Sequence, residues 1–396
     1  MSHGLVGPAL IGPYINRVTD AVDIAARKLT GDHAPRGEKR KPLYTNVATK
    51  SCGMVVLMAF VLDAGAVAGL EIGEVGLGLN GMANKAAVGV RFSYKGTEMT
   101  FVSAHLAAME WELERRNEDW KNIVKGLVLT PDGDAGSAKA IRENREGGDE
   151  SRGLLERRRD YGIYKPTSHL FVAGDLNYRT NSMKPGPTDH IDTFPQPKHP
   201  ASSPQHFSIL LENDQLTAER NAGRTLHGLN EAPVTFPPTY KYNSHTHDLK
   251  EDEDIDDWGW ATHRWPSWTD RILYLDLPPW LKREHPDARL KVDKYDSLPL
   301  FPTSDHKAVV LSIKVPLLPI PEPDEEDRDN SKDPRVNPPF DIEPQWRAKR
   351  SKARKEELVA GIIGFLTATW EGWCVVIGTI AGALGGYFLL RAALDL

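Results

Sequence analysis

The sequence predicts an α/β domain followed by an apolar C-terminal helix. Short apolar segments typical of buried strands alternate with longer segments of helical periodicity. Several strand segments are followed directly by charged and amide side chains, which suits ligand binding at a sheet edge better than packing. In addition, residues 358–390 are almost wholly apolar, and a stretch of that length can span a bilayer.

Composition limits the class of protein. The chain has 396 residues, of which 26% are charged and 40% hydrophobic, as in a mostly globular protein. The net charge of −6 argues against a general nucleic-acid binder, so no nucleic-acid partner is expected. Two cysteines, Cys52 and Cys374, are too few for a disulfide framework or a zinc cluster and fit a reducing compartment. Residues 1–14 lack the features of a signal peptide.

The first half of the chain is expected to alternate strands and one long helix. Residues 1–43 contain a helical pattern at 18–29 and a basic loop, and the main domain is assigned to 44–315. Within it, we expect a strand at 47–61, glycine-rich turns at 72–84, a hairpin of 85–92 with 98–103, and a helix at 107–128. The charged, glycine-rich residues 130–160 are predicted to form a surface insertion.

The second half carries most of the polar motifs. We expect a buried strand at 170–173, an irregular loop at 181–203, a helix at 205–220 and an extended segment at 232–242. Residues 247–257 hold seven acids in eleven positions and are interpreted as a solvated loop. Residues 265–275 and 298–313 are each predicted to form a turn that leads into a strand.

The C-terminal part is interpreted as a linker and a membrane anchor. Residues 316–350 are rich in proline and acids and end in a basic cluster, and residues 351–396 form the anchor. We expect one spanning helix at about 372–390 after an interfacial helix; a single long helix that buries Glu371 and a buried core helix are the alternatives. The basic cluster predicts a tail-anchored protein with its domain in the cytosol, at the endoplasmic reticulum by default.

Polar side chains recur at the ends of the predicted strands. Taken singly, each has an ordinary explanation, such as a surface histidine or a local salt bridge. Their recurrence beside apolar strands indicates a site for phosphate and metal. The residues are Asn84, Lys85, His105, Asp175, Asn177, Tyr178, Arg179, Tyr240, Lys241, Asp270, Arg271, Asp305 and His306.

The motifs around these residues resemble those of the inositol polyphosphate 5-phosphatases, in the endonuclease/exonuclease/phosphatase superfamily. The matching stretches are GLNGMANKAAVGVRF, FVSAHLAA, FVAGDLNYR, FPPTYKY, PSWTDRILY and TSDHKAV, between about residues 44 and 315. With its tail, the chain is similar to a fungal-type, tail-anchored member. The resemblance implies a DNase I-like four-layer sandwich, in which two packed mixed β-sheets are flanked by helices.

The resemblance also implies catalytic roles. Asp175 would orient or deprotonate a water, and Asn177 would donate to the phosphoryl oxygens in the transition state. His105 and His306 would hold the scissile phosphate. Asp305 would orient His306 or contribute to the shell of a Mg²⁺ ion, the implied cofactor.

Other residues are implied to bind the rest of the substrate. The positions that bind the neighbouring 4-phosphate in the family correspond here to Lys85, Arg179, Tyr240 and Lys241. The remaining candidates for substrate binding are Asn84, Tyr178 and Arg271, while Asp270 is expected to organise the site.

The chain departs from the family pattern at three places. The family's NKGA reads Asn84-Lys85-Ala86-Ala87 here, and its cysteine before DRIL is Thr269. Residues 1–50 contain neither the strand with an asparagine motif nor the strand with a Gln-Glu pair whose glutamate is a principal magnesium ligand. An internal start in the gene model, a real truncation, or a ligand from elsewhere would each explain this.

These considerations leave three hypotheses. The first is a magnesium-dependent phosphatase that removes the 5-phosphate of phosphatidylinositol 4,5-bisphosphate at a membrane surface. The second is a catalytically impaired, membrane-anchored phosphoinositide-binding protein, because the glutamate is absent. A nuclease of the same superfamily is the third, and both the acidic net charge and the Tyr240-Lys241 motif count against it.

Overall fold

The computed structural model describes residues 7–31, 42–131, 160–243 and 257–394. Most of the predicted insertion at 130–160 and of the predicted acidic loop at 247–257 lies outside these ranges. The strands are β1 Thr45–Cys52, β2 Val55–Val61, β3 Val67–Gly76, β4 Ala86–Tyr94, β5 Thr97–His105, β6 Thr130–Pro131, β7 Ser168–Asp175, β8 Leu229–Asn230, β9 Asp270–Leu275, β10 Lys291–Ser297 and β11 Val309–Lys314. The helices are α1 Gly7–Thr30, α2 Leu113–Gly126, α3 Asp189–Asp192, α4 Phe207–Leu211, α5 Gln215–Asn221, α6 Pro279–Glu284, α7 Glu325–Asn330, α8 Trp346–Ala368 and α9 Trp370–Ala393.

A seven-stranded mixed sheet forms the centre of the fold. Its order is β6-β3-β4-β5-β7-β9-β8, and β5 and β7 pair in parallel while the other neighbours are antiparallel. On one face, Trp120 and Ile123 of α2 are buried in one apolar cluster with Val102, Val172 and Leu273 of the sheet. This arrangement confirms the predicted α/β class.

The opposite face of the sheet carries two separate hairpins. The strands β1 and β2 pair with each other, as do β10 and β11, and each pair forms a two-stranded sheet of its own. Leu57 of the first hairpin packs with Val90 and Phe101, whereas Leu311 of the second packs with the cluster that includes Ile272. In the described residues, the second layer of the sandwich is therefore two hairpins rather than one continuous sheet.

Two strand predictions differ from the structure because glycines have roles that composition does not show. The single strand predicted at 47–61 is the β1–β2 hairpin, which turns at Gly53 with a φ of 58°. A Cβ on Gly53 would overlap the carbonyl of Ala83. The stretch interpreted as glycine-rich turns contains the end of β3. A Cβ on Gly73 in this strand would lie 2.4 Å from the Val128 carbonyl oxygen. Glycine is required at position 73 because the backbone of Val128 approaches it closely, and not because the chain turns there.

The predicted helix at 205–220 is two short helices, α4 and α5. The break occurs at Asp214, whose carboxylate caps α5 by accepting from the Thr217 N–H at 2.9 Å. The same carboxylate accepts two hydrogen bonds from Arg271, each 2.9 Å long. A buried aspartate that binds both a helix terminus and an arginine fixes the break.

Residues 316–345, here called the strap, are ordered against the domain and differ from the predicted extended or disordered linker. Ile320 and Val336 are buried with Trp280. Arg335 is fully buried and donates to the carbonyls of Ser168 at 3.1 Å and Asp276 at 2.6 Å. The packing of the strap could not be predicted from its local composition, because its contacts join residues that are far apart in sequence.

The strap leads into the two C-terminal helices. The first, α8, ends at Ala368. The backbone of Thr369 is extended, and its hydroxyl is the N-cap of α9. Helix α9 is long and apolar enough to cross a membrane, with a mean hydropathy of 1.8 and none of its apolar window buried. It contains the span expected at 372–390, and Glu371 lies in its first turn.

Replacing Arg335 with alanine is expected to destabilise the domain. The change leaves two buried carbonyls and the Asp333 carboxylate without their donor, which should lower the free energy of unfolding by roughly 2–4 kcal/mol. Thermal unfolding of the full chain in detergent, followed by near-UV circular dichroism, measures the effect. The control is Lys332→Ala, an exposed position in the same strap. Equal midpoints for the two variants would contradict a structural role for the strap.

Candidate active site

Strand register brings the predicted site residues together at one end of the sheet. Across four neighbouring strands, Ala86 lies opposite His105, His105 opposite Asp175, and Asp175 opposite Asp270. Because side chains alternate along a strand, His105 and Asp175 share the sheet face that carries Phe101 and Phe171, beneath the hairpins. The site therefore lies between the two β layers, at their shared edge.

His105 contacts two charged neighbours. Its Nε2 lies 3.2 Å from Asp175 Oδ2 and 2.5 Å from Lys85 Nζ. Burial acts to raise the pKa of the Asp175 carboxyl, but the hydrogen bond and charge of His105, with the charges of His306 and Arg179, lower it below its usual value. Burial lowers the pKa of the Lys85 ammonium against the opposing charge of Asp175. Asp175 is therefore ionised at neutral pH and better suited to orient a water than to act as a strong base.

A second histidine is held by a network around Asp270. The Nδ1 atom of His306 lies 2.9 Å from Asp270 Oδ2, which also accepts from the hydroxyls of Thr239 at 2.8 Å and Thr269 at 2.9 Å. Burial acts to lower the pKa of the His306 imidazole, but the hydrogen bond and charge of Asp270, with the charges of Asp175 and Asp305, outweigh burial and raise it. His306 therefore favours the cationic form that binds anions.

Further cations surround Tyr240. The Arg179 guanidinium and the His306 ring each lie 4.5 Å from the centre of the Tyr240 ring. Lys241 Nζ lies 5.3 Å from the same ring and 2.5 Å from Asp305 Oδ2. This pairing lowers the pKa of Asp305 despite the opposing effect of burial. His306, Lys241 and Arg179 are thus grouped around one ring; His306 and Lys241 are partly exposed, and Arg179 is buried.

Asn177 occupies the turn after β7. Its φ of 57° is left-handed, and its N–H donates to the Asp175 carboxylate at 3.1 Å. The carboxamide donates to the Leu106 carbonyl at 3.1 Å and accepts a hydrogen bond from Arg179. Asn177 therefore holds both Asp175 and Arg179 in place, and one carboxamide N–H remains for the donor role expected of it.

Tyr178 and Arg271 are not placed to bind substrate, so both assignments need correction. The Tyr178 hydroxyl bonds Asn117 and Thr225, each at 2.8 Å, and the side chain is fully buried. Arg271 is buried between Asp214 and Glu231, the second bound at 2.6 and 2.7 Å. Side chains alternate in direction along a strand, so Arg271 of β9 faces away from the side of the sheet that carries Asp270. Tyr178 lies in the turn after β7, where its direction is set by its hydrogen-bond partners.

Sequence reasoning missed several supporting residues. Thr239 and Thr269 lie inside the motifs FPPTYKY and PSWTDRILY, and their hydroxyls donate to Asp270. Thr269 directly precedes that aspartate in sequence, whereas Thr239 lies 31 residues away and carried no local signal. Glu357 of α8 accepts from the Ala83 N–H at 2.8 Å, one residue before the exposed Asn84. It lies 274 residues away in sequence, so no local pattern could reveal this contact.

The described residues do not assemble a complete magnesium site. They contain no group of three histidine, cysteine, aspartate or glutamate side chains placed to hold a metal ion. The three carboxylates at the sheet edge are engaged by protein cations or histidines: Asp175 by His105, Asp270 by His306 and Asp305 by Lys241. What the cluster can do by itself is bind a phosphate dianion between cations and orient a water beside it.

Removing the Asp270 charge is expected to lower the pKa of His306. In the native chain the imidazolium is present at low and near-neutral pH and is lost as pH rises through the raised pKa. Asp270→Asn should move that midpoint to lower pH, as measured by NMR titration of the ring. Asp287→Asn, at an exposed and distant position, is the control. An unchanged midpoint in Asp270→Asn would contradict the pairing.

Tyr178→Phe is expected to affect stability and not anion binding. Loss of the hydroxyl removes hydrogen bonds to Asn117 and Thr225, which should lower the free energy of unfolding by about 1–2 kcal/mol. Binding of inorganic pyrophosphate, measured by calorimetry, should stay at the native affinity, whereas Lys241→Ala should weaken it. Weaker pyrophosphate binding in Tyr178→Phe would restore the original assignment.

Comparisons with known proteins place this geometry in context. Inositol-1,4,5-trisphosphate 5-phosphatase 1 of Schizosaccharomyces pombe is 30% identical over 235 residues, which are 59% of this chain and 16% of that protein. Type IV inositol polyphosphate 5-phosphatase 3 of Arabidopsis thaliana is 30% identical over 240 residues, which are 59% of this chain and 30% of that protein. The chain therefore spans less than a third of the length of either relative.

A solved structure and a family profile complete the comparison. The inositol polyphosphate 5-phosphatase domain of SPsynaptojanin, solved with inositol (1,4)-bisphosphate and calcium ion, aligns at 24% identity with a TM-score of 0.46. The alignment covers 83% of this chain and 74% of that one. The profile of Endonuclease/Exonuclease/phosphatase family 2 matches residues 22–312. The chain belongs to this family, and its similar proteins include inositol polyphosphate 5-phosphatases.

Proposed function

We propose that the protein is a phosphoinositide 5-phosphatase that hydrolyses the 5-phosphate of phosphatidylinositol 4,5-bisphosphate at a membrane surface. The observation that carries the proposal is the pairing of His105 with an ionised Asp175, 3.2 Å apart, beside the cations Lys85 and Arg179. The similarity to inositol polyphosphate 5-phosphatases supports the choice of a 5-phosphate on an inositol ring.

Each residue has a part in this proposal. Asp175 orients the water that attacks phosphorus, and the cationic His306 stabilises charge on the phosphoryl oxygens. Lys241 and Arg179, which both contact the Tyr240 ring, bind the adjacent 4-phosphate. Two phosphates on neighbouring ring carbons thus match two neighbouring groups of cations.

The choice of a lipid substrate rests on the C-terminal helices. Helix α9 is apolar and exposed, and basic residues at the start of α8 precede it. We infer a tail-anchored protein whose domain faces the cytosol, and we assign it to the endoplasmic reticulum. Anchoring would confine the site to the surface where the proposed lipid lies.

A second candidate function is phosphoinositide binding without turnover. It is favoured by the incomplete magnesium site, because the three nearby carboxylates are already paired. Mg²⁺ is the expected cofactor of the enzymatic proposal, and it usually binds through one or two carboxylates together with substrate phosphates. Asp305 is the most exposed carboxylate of the three and our assigned candidate ligand.

The two functions are separated by an assay of the full chain in vesicles that contain phosphatidylinositol 4,5-bisphosphate. With Mg²⁺ present, the native chain should release phosphate, and Asp175→Ala should reduce the rate about 100-fold or more. Asp287→Ala, at an exposed position, should keep the native rate.

Three outcomes decide between the functions. Full activity in Asp175→Ala would remove this residue from the mechanism. Lipid binding without phosphate release by the native chain would favour the second candidate. Release that persists in a chelator would contradict the assignment of Mg²⁺.

A further inference from the structure

A basic cavity lies beside the candidate active site and is separate from it. Its volume is about 350 Å³, and it is bounded by the end of β3 with the glycine-rich turn after it, by α2, and by the first turns of α8. Five cations line it: Arg115, Lys125, Lys349, Arg350 and Lys352. None of these residues belongs to the His105–Asp175 cluster.

The cavity has an excess of positive charge. Among the described residues, two carboxylates line it, those of Glu74 and Glu343, so the lining residues carry a net charge of +3. Two of the cations also pair with carboxylates outside the lining, Arg115 with Asp119 at 3.1 Å and Arg350 with Glu357 at 3.3 Å. Glu74 is bound to Arg350 at 2.8 Å, and Glu343 to Lys349 at 2.7 Å. Within the described residues, Lys125 forms no ion pair.

The remaining charges are held on facing elements. Lys125 lies on α2 and Lys352 on α8, where the carboxylate that pairs with it, Glu356, is 3.9 Å away. Like charges directed at one space repel each other, and a bound anion removes that repulsion. The polar side chains Asn80, Asn122 and Trp346 add donors to the same lining.

We propose that this cavity binds a phosphorylated polyol or another polyphosphate anion, as a second site distinct from the catalytic cluster. Its volume is within the range of small-ligand pockets. Cations from two helices and amide donors from the turn and α2 match several phosphate groups better than one. The anion is either a lipid headgroup at the membrane or a soluble polyphosphate, since both present the same chemistry.

The cavity contacts the loop that carries Asn84 and Lys85 through the backbone. Arg115 donates to the Leu77 carbonyl at 2.5 Å, and the Leu77 N–H donates to the Lys85 carbonyl at 2.7 Å. A Cβ on Gly78 would overlap the carboxamide of Asn84, so the cavity wall and the loop are in direct contact. An anion that draws Arg115 into the cavity therefore pulls on Leu77, whose N–H is hydrogen-bonded to the Lys85 carbonyl.

Calorimetry with inositol hexakisphosphate tests the site, using the full chain in phosphatidylcholine nanodiscs without divalent cations. A Lys241→Ala background weakens binding at the catalytic cluster. In that background, Lys125→Glu and Lys352→Glu should each weaken binding about tenfold or more, because each replaces an attractive charge by a repulsive one.

Matched controls use cations on the same helices outside the cavity. Lys121→Glu on α2 and Lys355→Glu on α8 should retain the native affinity, and Lys125→Arg should retain it as well. Thermal unfolding of each variant identifies loss of folding. Equal affinity for cavity and control variants, all folded, would overturn the proposal.

A change of lipid distinguishes the two sources of the anion. If a headgroup occupies the cavity, nanodiscs that contain phosphatidylinositol 4-phosphate should weaken binding of the soluble probe, and Lys125→Glu should abolish this competition. If the natural anion is soluble, the probe should bind equally in both lipids. Competition that Lys125→Glu does not alter would place the lipid elsewhere and overturn the lipid assignment.

Discussion

The parallel pairing of β5 with β7 is the constraint on which the candidate site depends. Among the strands that the structure describes, it is the one parallel pair in the central sheet, and its register sets His105 opposite Asp175. Because these strands run in the same direction, both residues lie where their strands end, at one edge. Gly174 permits this pairing at its last step, since a Cβ there would overlap the Ala104 carbonyl.

Buried arginines organise the structure around that edge. Arg271 links the break between α4 and α5 to the strand that carries Asp270, and Arg335 links the strap to β7. In both cases a planar group with five donors satisfies carbonyls or carboxylates from segments distant in sequence. These side chains stabilise the positions of catalytic candidates without facing the ligand.

The sequence predicted the class of fold and which motifs converge, because strand ends marked by polar residues are local patterns. It did not predict that Tyr178 and Arg271 face inward, since direction at a turn depends on the partners available in three dimensions. The order of the strap and the contact of Glu357 with Ala83 were missed for a related reason. Both depend on pairing between residues that the chain separates widely.

The strap also determines how far the domain can move from the proposed anchor. A flexible linker of the same length would have a root-mean-square end-to-end distance of about 30 Å, and the domain could move over that distance. Instead, the buried contacts of Val336 and Arg335 hold the strap against the domain up to the start of α8. Arg350 and Glu357 then attach α8 itself to the domain. In the proposed anchored protein, this attachment would hold the candidate site at a set height and orientation above the bilayer. The distance of the site from the membrane, as well as its chemistry, would then select which headgroups can enter it.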